Sequence, residues 1–534
     1  MSSAYYIGQR LSFESQLCTV RYVGEVKGTT GEWLGVEWDD SARGRHSGNH
    51  NGTVYFECRA PGAGSFVRPN RPHDQPNTFL EGLKEKYITN VAASGVPKPI
   101  VFGSKVAEEV GFEKVSKKFS ELDTLTRVSL DYMRIKTCDA DSNEIAVTCA
   151  NMQEVDLSCN LFEDLEEIGR ICASLPRLHA LFINGNQFTR FQAAEEYIRS
   201  FNRIKALRAE DLRLSWRQLF ELVDNFPNVT DLSIAVGDLV QLSPAMRPRL
   251  LDLQAAPSLV SLCLEENEFS SLADLSDLQK LPSLRRLLLS RNKIQAVYSA
   301  PGSKADDRLS FPTITFLDIS RNKVDGWMFL DDMRDVFPNL EALRISQNPL
   351  YDTGGNRDKA LSERVFQITV GRLGPKVTSL NYSVITPAER ADAELFYIST
   401  IVKELSEKPA DQEPVVLAQH TRWTELQALH GEQVINRELA KKSNDALASK
   451  LIVTELNYGS KTLTKKFPRT ITIGKLAGLV GRLFGANPLD IVLYLVETGI
   501  TGEEGIRETL LSDELRELDY YVVDANAKLL VREK

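Results

Sequence analysis

Histidine is scarce, at six residues in 534, and the seven cysteines include no Cys-x-x-Cys pair. His46, His50, His73, His179, His420 and His430 are dispersed, so no ligand set with metal-site spacing arises and no metal is expected. An odd number of cysteines in a long chain argues for reduced thiols rather than a disulfide framework. Nowhere do eighteen apolar residues follow one another, and no membrane span is expected. The first residues, Met1 to Gly8, lack the basic start and apolar stretch of a secretory leader, which predicts a cytoplasmic address. There is no Gly-x-x-x-x-Gly-Lys-Ser/Thr loop, no His-Glu-x-x-His and no Gly-x-Ser-x-Gly, so the chain is not expected to be an enzyme or to need a cofactor. Lys and Arg number 64 against 73 Asp and Glu, a net charge of −9. Coating nucleic acid requires cations, so nucleic acid is not an expected partner and any positive site must be local.

What remains is 42% hydrophobic and 26% charged, with length for several cores, as in multidomain α+β proteins. The middle of the chain repeats. Leu259-Val-Ser-Leu262-Cys-Leu264-Glu-Glu-Asn267-Glu-Phe269 sets the pattern. It recurs at Leu178/Leu181/Ile183/Asn186, Leu284/Leu287/Leu289/Asn292, Ile314/Leu317/Ile319/Asn322 and Leu340/Leu343/Ile345/Asn348. Copies start at 125, 152, 178, 204, 229, 259, 284, 314, 340 and 377, mostly about 25–30 residues apart. This spacing identifies leucine-rich repeats: the apolar positions make a short strand and fill the core, and the Asn amides form a ladder of backbone hydrogen bonds. Segments 272–281 and 326–337 read as helices between strands, and Pro176, Pro227, Pro257, Pro282, Pro312 and Pro338 stop helices before strands. The expected product is a curved solenoid over 121–385, followed by a cap and helical linker over 386–450. Arg291, Arg321 and Arg344 fall at variable positions and are candidate partner contacts on the concave face.

Residues 8–69 alternate β-prone runs with glycines, which predicts a small all-β barrel. Thr19-Val-Arg-Tyr-Val-Gly24, Gly31-Glu-Trp-Leu-Gly-Val-Glu-Trp38, Gly44-Arg-His-Ser-Gly48, Gly52-Thr-Val-Tyr-Phe-Glu-Cys58 and Gly64-Ser-Phe-Val-Arg-Pro69 resemble a CAP-Gly domain in order and spacing. The domain is placed at 1–75. The resemblance implies binding of acidic tails that end in an aromatic residue with a free carboxylate, as in α-tubulin. On that footing Gly44 and Gly48 let backbone N–H groups approach a carboxylate. Arg45 offers charge-assisted contacts, and His46 a ring N–H where the family has Asn. Trp33 and Phe66 wall an apolar slot, and Arg68 steers the acidic residues. Ser47 replaces the family's usual Asp and Gly28 an aromatic found in some relatives, so tail affinity is expected to be weaker or retuned.

Residues 76–120 are expected to link barrel and solenoid. Beyond 451, two strands at 451–456 and 463–467 precede Thr472 as a helix N-cap. Ile473, Leu476, Val480 and Leu483 follow at helical spacing, then strands at 491–496 and near 521–523 and 529–531. This order resembles a ubiquitin-like β-grasp domain over 451–534. The end, Val-Arg-Glu-Lys, lacks Gly-Gly, so conjugation is not expected.

The three modules in this order resemble the tubulin-folding cofactor E family along essentially the whole chain. The segments beginning at Phe79, Phe102 and Val110 are also similar to that family's link between barrel and solenoid. The resemblance implies a cytoplasmic, cytoskeleton-associated chaperone. It would bind α-tubulin and hand it to β-tubulin held by cofactor D, with cofactor C acting next and cofactor B a further partner. The same machinery run backwards would dissociate the heterodimer. The alternatives are a microtubule-associated adaptor and an adaptor linked to the proteasome through the ubiquitin-like end.

Overall fold

The computed structural model describes residues 5–89, 101–102, 105–106, 122–191, 193–212, 214–235, 249–298, 309–351, 359–435, 437, 451–498, 506–522 and 526–533. The predicted link motifs at Phe102-Gly-Ser-Lys and Val110-Gly-Phe112 lie largely outside these residues, as does 438–450. The chain divides into two compact units, one holding the barrel and most of the repeats, the other including 383–534.

In the first unit, strands Arg10–Phe13, Gln16–Glu25, Glu32–Trp38 and Gly64–Val67 pair antiparallel in that order. Phe13, Cys18, Val20, Leu34, Val36, Trp38 and Val67 alternate inward and close a dry core. Of the β-prone run Thr53–Cys58, only Thr53–Val54 is a strand. Beyond it, Tyr55 and Phe56 turn toward Gly48, whose carbonyl accepts both their N–H groups.

The repeats form one parallel ladder of ten strands, from Arg127–Ser129 to Ser379–Leu380. Each strand starts two residues after a repeat start. Leu207, Leu232, Leu262, Leu287, Leu317 and Leu343 sit in register across neighbours, and all are buried. The Asn ladder is present. Asn322 donates to the Leu289, Ile319 and Ser320 carbonyls and accepts the Ile294 N–H at 2.9 Å. The helices expected at 272–281 and 326–337 are a 3₁₀ segment, Leu272–Lys280, and the α-helix Met328–Val336.

The stretch taken for linker starts with ordered backbone. Asn77–Thr78 pairs parallel with Ile135–Thr137, and a Thr78/Glu81 capping box starts the helix Phe79–Lys84, whose Phe79, Leu80 and Leu83 are buried. Tyr6 and Arg10 of the barrel meet the first repeats. The Arg10 N–H donates to Glu163 at 2.8 Å, the Tyr6 hydroxyl donates to the same carboxylate, and Lys136 pairs with it at 3.0 Å.

In the second unit, Leu451–Tyr458 and Asn526–Glu533 pair parallel at the centre of a five-stranded sheet. Lys461–Pro468 forms one edge and Ile506–Leu510 the other. The helix Ile473–Phe484 packs Ile473, Leu476 and Val480 on it, a β-grasp arrangement. Thr472 is the N-cap residue, without a side-chain cap hydrogen bond. Two expectations are corrected. Of the strand expected near 521–523, Tyr521 instead ends the helix Leu518–Tyr521, where Leu518 is drawn into the core and Tyr520 stacks on Phe396, and Val523 lies outside the described residues. Leu483 is 41% exposed, because Phe484, one residue on, turns to the core instead. The Tyr520 hydroxyl donates to the Asp392 carbonyl at 2.8 Å and Arg516 reaches the Asp392 carboxylate at 3.3 Å, so the β-grasp packs on the helix Pro387–Glu407.

Candidate functional site

The loop at 41–48 is built by its backbone. Asp40 accepts the Ala42 N–H at 3.0 Å and starts a single 3₁₀ turn, Ser41–Arg43. A Cβ at Gly44 would stand 1.9 Å from the Gly62 carbonyl oxygen. At Gly48 φ is +103° and a Cβ would meet the Phe56 oxygen at 1.8 Å, so neither position admits a side chain. The Arg45 N–H donates to the Gly64 carbonyl at 2.8 Å, and the Gly64 N–H returns a bond to the His46 carbonyl at 2.7 Å. Ser47, the departure from the family pattern, accepts the Gly62 N–H at 2.9 Å and so serves the loop itself. With both flanks sewn to the strand, the Arg45 side chain projects exposed, with no ion-pair partner among the described residues.

Beside this loop Phe66 is the centre of an aromatic cluster. Its ring lies 5.0 Å from His46, 5.6 Å from Tyr55 and Phe56, 6.2 Å from His50, and 6.4 Å from Tyr22 and Trp33. Most of these contacts are edge-on, the geometry ring quadrupoles favour. Phe66, Trp33 and Tyr55 are half-buried and only Phe56 is core, so the cluster has a wet side. From the sequence alone, no role at this site is expected of Tyr55, Tyr22 or His50. The one available signal was the aromatic pair after Gly52-Thr-Val.

His46 has a defined protonation. The Gly48 N–H can only donate, so Nδ1, 3.0 Å away, is the acceptor and the ring proton resides on Nε2. Burial, followed by the nearby His50, holds its pKa below the ordinary imidazole value. His46 is therefore a neutral donor at physiological pH. Trp33 donates its indole N–H to Thr29 at 2.8 Å, while the Arg68 guanidinium lies 3.6 Å from the Trp33 ring centre and donates to the Thr30 carbonyl at 2.6 Å. Arg68 is thus committed to holding the Trp33 loop, and Arg45 is the uncommitted cation. An anion beside an aromatic ring meets a positive charge, a neutral ring donor and a hydrophobic platform here.

The three solenoid arginines are placed differently from one another. Arg344 ends the strand Ala342–Arg344, pairs with Asp318 and lies 4.1 Å over the Tyr382 ring. Arg291 and Arg321 fall past the strand ends in left-handed backbone, with φ of +58° and +57°, paired with Glu266 and Gln347. Glu265 lies near Asp318 and Glu210, and burial together with those like charges raises its carboxyl pKa.

A CAP-Gly barrel, a leucine-rich-repeat solenoid and a ubiquitin-like β-grasp in one chain define a multidomain binding protein. The CAP-Gly family model matches residues 7–72. Along the full length, the chain is 30% identical to tubulin-specific chaperone E of Rattus norvegicus, covering 98% of each protein. It is also 30% identical to tubulin-folding cofactor E of Arabidopsis thaliana, covering 93% of each. Among solved structures, the C-terminal ubiquitin-like domain of mouse tubulin-specific chaperone E is 26% identical over 16% of this chain and 88% of that one, with a TM-score of 0.14. The chain belongs to the tubulin-specific chaperone E family.

Proposed function

We propose that this protein is a tubulin-folding chaperone that captures α-tubulin at two points. The acidic tail is held by Arg45 and the His46 Nε2 proton, with Gly44 and Gly48 keeping the loop backbone close. The terminal aromatic ring lies on Phe66 beside Trp33, and Arg68 acts by fixing Trp33. The globular body rests on the concave face of the solenoid, Arg344 among the contacts, with Arg291 and Arg321 at its rim. Once one end is bound, the second site acts at high effective concentration, so two modest contacts function as one clamp. The captured subunit is passed to β-tubulin with cofactors D and C, cofactor B assisting, and the reverse reaction separates heterodimers. A cytoplasmic, cytoskeleton-associated address belongs to this reading.

The observation that carries it is an exposed Arg45, without an ion-pair partner among the described residues, beside a half-buried aromatic cluster, in a chain whose relatives are named for tubulin. Two assays on the full chain test it. Size-exclusion with αβ-tubulin, with and without cofactor D, should yield a complex containing α-tubulin, and sedimentation with assembled microtubules should pellet little of the protein. Strong pelleting with no α-tubulin complex would favour an adaptor on the polymer.

A further inference from the structure

The β-grasp domain carries two surfaces of different character. On the open sheet face Lys528 pairs with Glu455 at 3.1 Å, and Arg532 with Glu508 at 2.8 Å while lying 5.1 Å from the Tyr494 ring centre. On the other side, the helix Ile473–Phe484 and the strand Lys461–Pro468 flank a shallow groove of about 310 Å³, open to solvent and lined by Lys465, Lys466, Phe467, Leu479, Arg482 and Leu483. Leu479 and Leu483 are each 41% exposed, one helical turn apart, and form an apolar ridge. Lys465, Lys466 and Arg482 have no ion-pair partner among the described residues. The strand beside the groove is the edge of its sheet and is exposed along most of its length. Exposed edges of this kind are templates for a further strand.

We propose that this groove is a docking site for an extended peptide segment with an aliphatic centre and acidic flanks. The segment adds to the edge Lys461–Pro468 by main-chain hydrogen bonds, the mode that gives β-augmentation its affinity. Its aliphatic side chains enter beside Leu479 and Leu483, and its carboxylates meet Lys465 and Arg482, Lys465 lying on the same face of the strand as the buried Phe467. Charge complementarity selects this occupant: Lys465 and Arg482, without ion-pair partners among the described residues, flank the apolar groove, disfavour a basic amphipathic helix and leave a plain hydrophobic segment with no counter-charge. The unpaired lysines also protect the edge from adding a second copy of itself. The site is independent of the CAP-Gly loop, so it stands or falls separately from tail capture.

The test uses the full-length protein and fluorescence anisotropy with a labelled Glu-Glu-Val-Ile-Val-Glu-Glu peptide. A second probe replaces the aliphatic centre with Ser-Gly-Ser at equal charge. The account predicts saturable binding of the first probe and at least about tenfold weaker binding of the second. Lys465→Glu with Arg482→Glu, and separately Leu479→Ser with Leu483→Ser, should each weaken the first probe about tenfold. Hydrogen exchange at Lys461–Phe467 amides should slow when the first probe binds. Equal binding of both probes would mean a charge-only contact and would overturn the proposal. So would absent binding, or unchanged affinity in both double variants. Lys323→Ala, an exposed position on the solenoid, should leave this binding unchanged.

Discussion

The backbone N–H of Gly48 donates to Nδ1 of His46 across 3.0 Å, and this bond fixes the tautomer of the imidazole beside Phe66. Protonating His46 would put a hydrogen on Nδ1 and break the bond. Because burial depresses its pKa in the fold, the folded state binds the proton less readily than the unfolded chain. The stabilisation from neutral His46 is fully present above the ordinary imidazole pKa of about 6.5 and is lost as pH falls below it. Denaturant unfolding of the barrel between pH 8 and pH 5, in the protein and in His46→Gln, should show a flatter profile in the variant.

Gly48→Ala should destabilise the barrel by about 2–4 kcal/mol, because the added methyl meets the Phe56 oxygen and φ is +103°. Thermal unfolding followed at the barrel tryptophans measures this. An unchanged midpoint would refute the tight loop packing.

Glu163 accepts from the Arg10 N–H at 2.8 Å and pairs with Lys136 at 3.0 Å, joining barrel to repeats. Glu163→Ala leaves these donors without their acceptor and should weaken that joint by about 1–3 kcal/mol. Hydrogen exchange at the Arg10 amide should accelerate while the core strands of the solenoid stay protected.

Asn322→Ala removes three donated bonds and the acceptor of the Ile294 N–H. A loss of about 2–3 kcal/mol in denaturant unfolding is expected, against under about 0.5 kcal/mol for exposed Lys323→Ala.

The solenoid was legible because its information is local: each Leu and Asn acts within its own coil, and neighbours repeat the same register. The loop at Gly44–Gly48 was legible for a similar reason, since two glycines at fixed spacing meet backbone on Gly62 and Phe56. The partners of Phe66 were not. Tyr22 comes to it across strands whose register shifts between Val20 and Tyr22, and such a bulge leaves no mark in an alternation pattern. Arg68 likewise looked like a free cation until Trp33 and the Thr30 carbonyl were placed beneath it. Leu518–Tyr521 failed because four residues of mixed polarity fit strand and helix alike, and the choice is made by Phe396 about 120 residues away.

Isothermal titration of the full-length protein with a Glu-Glu-Tyr peptide tests the tail-capture claim most directly, alongside Glu-Glu and the Arg45→Glu variant. The account predicts heat with Glu-Glu-Tyr and affinity at least about tenfold weaker both without the tyrosine and in Arg45→Glu. Equal affinities in all three experiments, or no heat with Glu-Glu-Tyr, would contradict it.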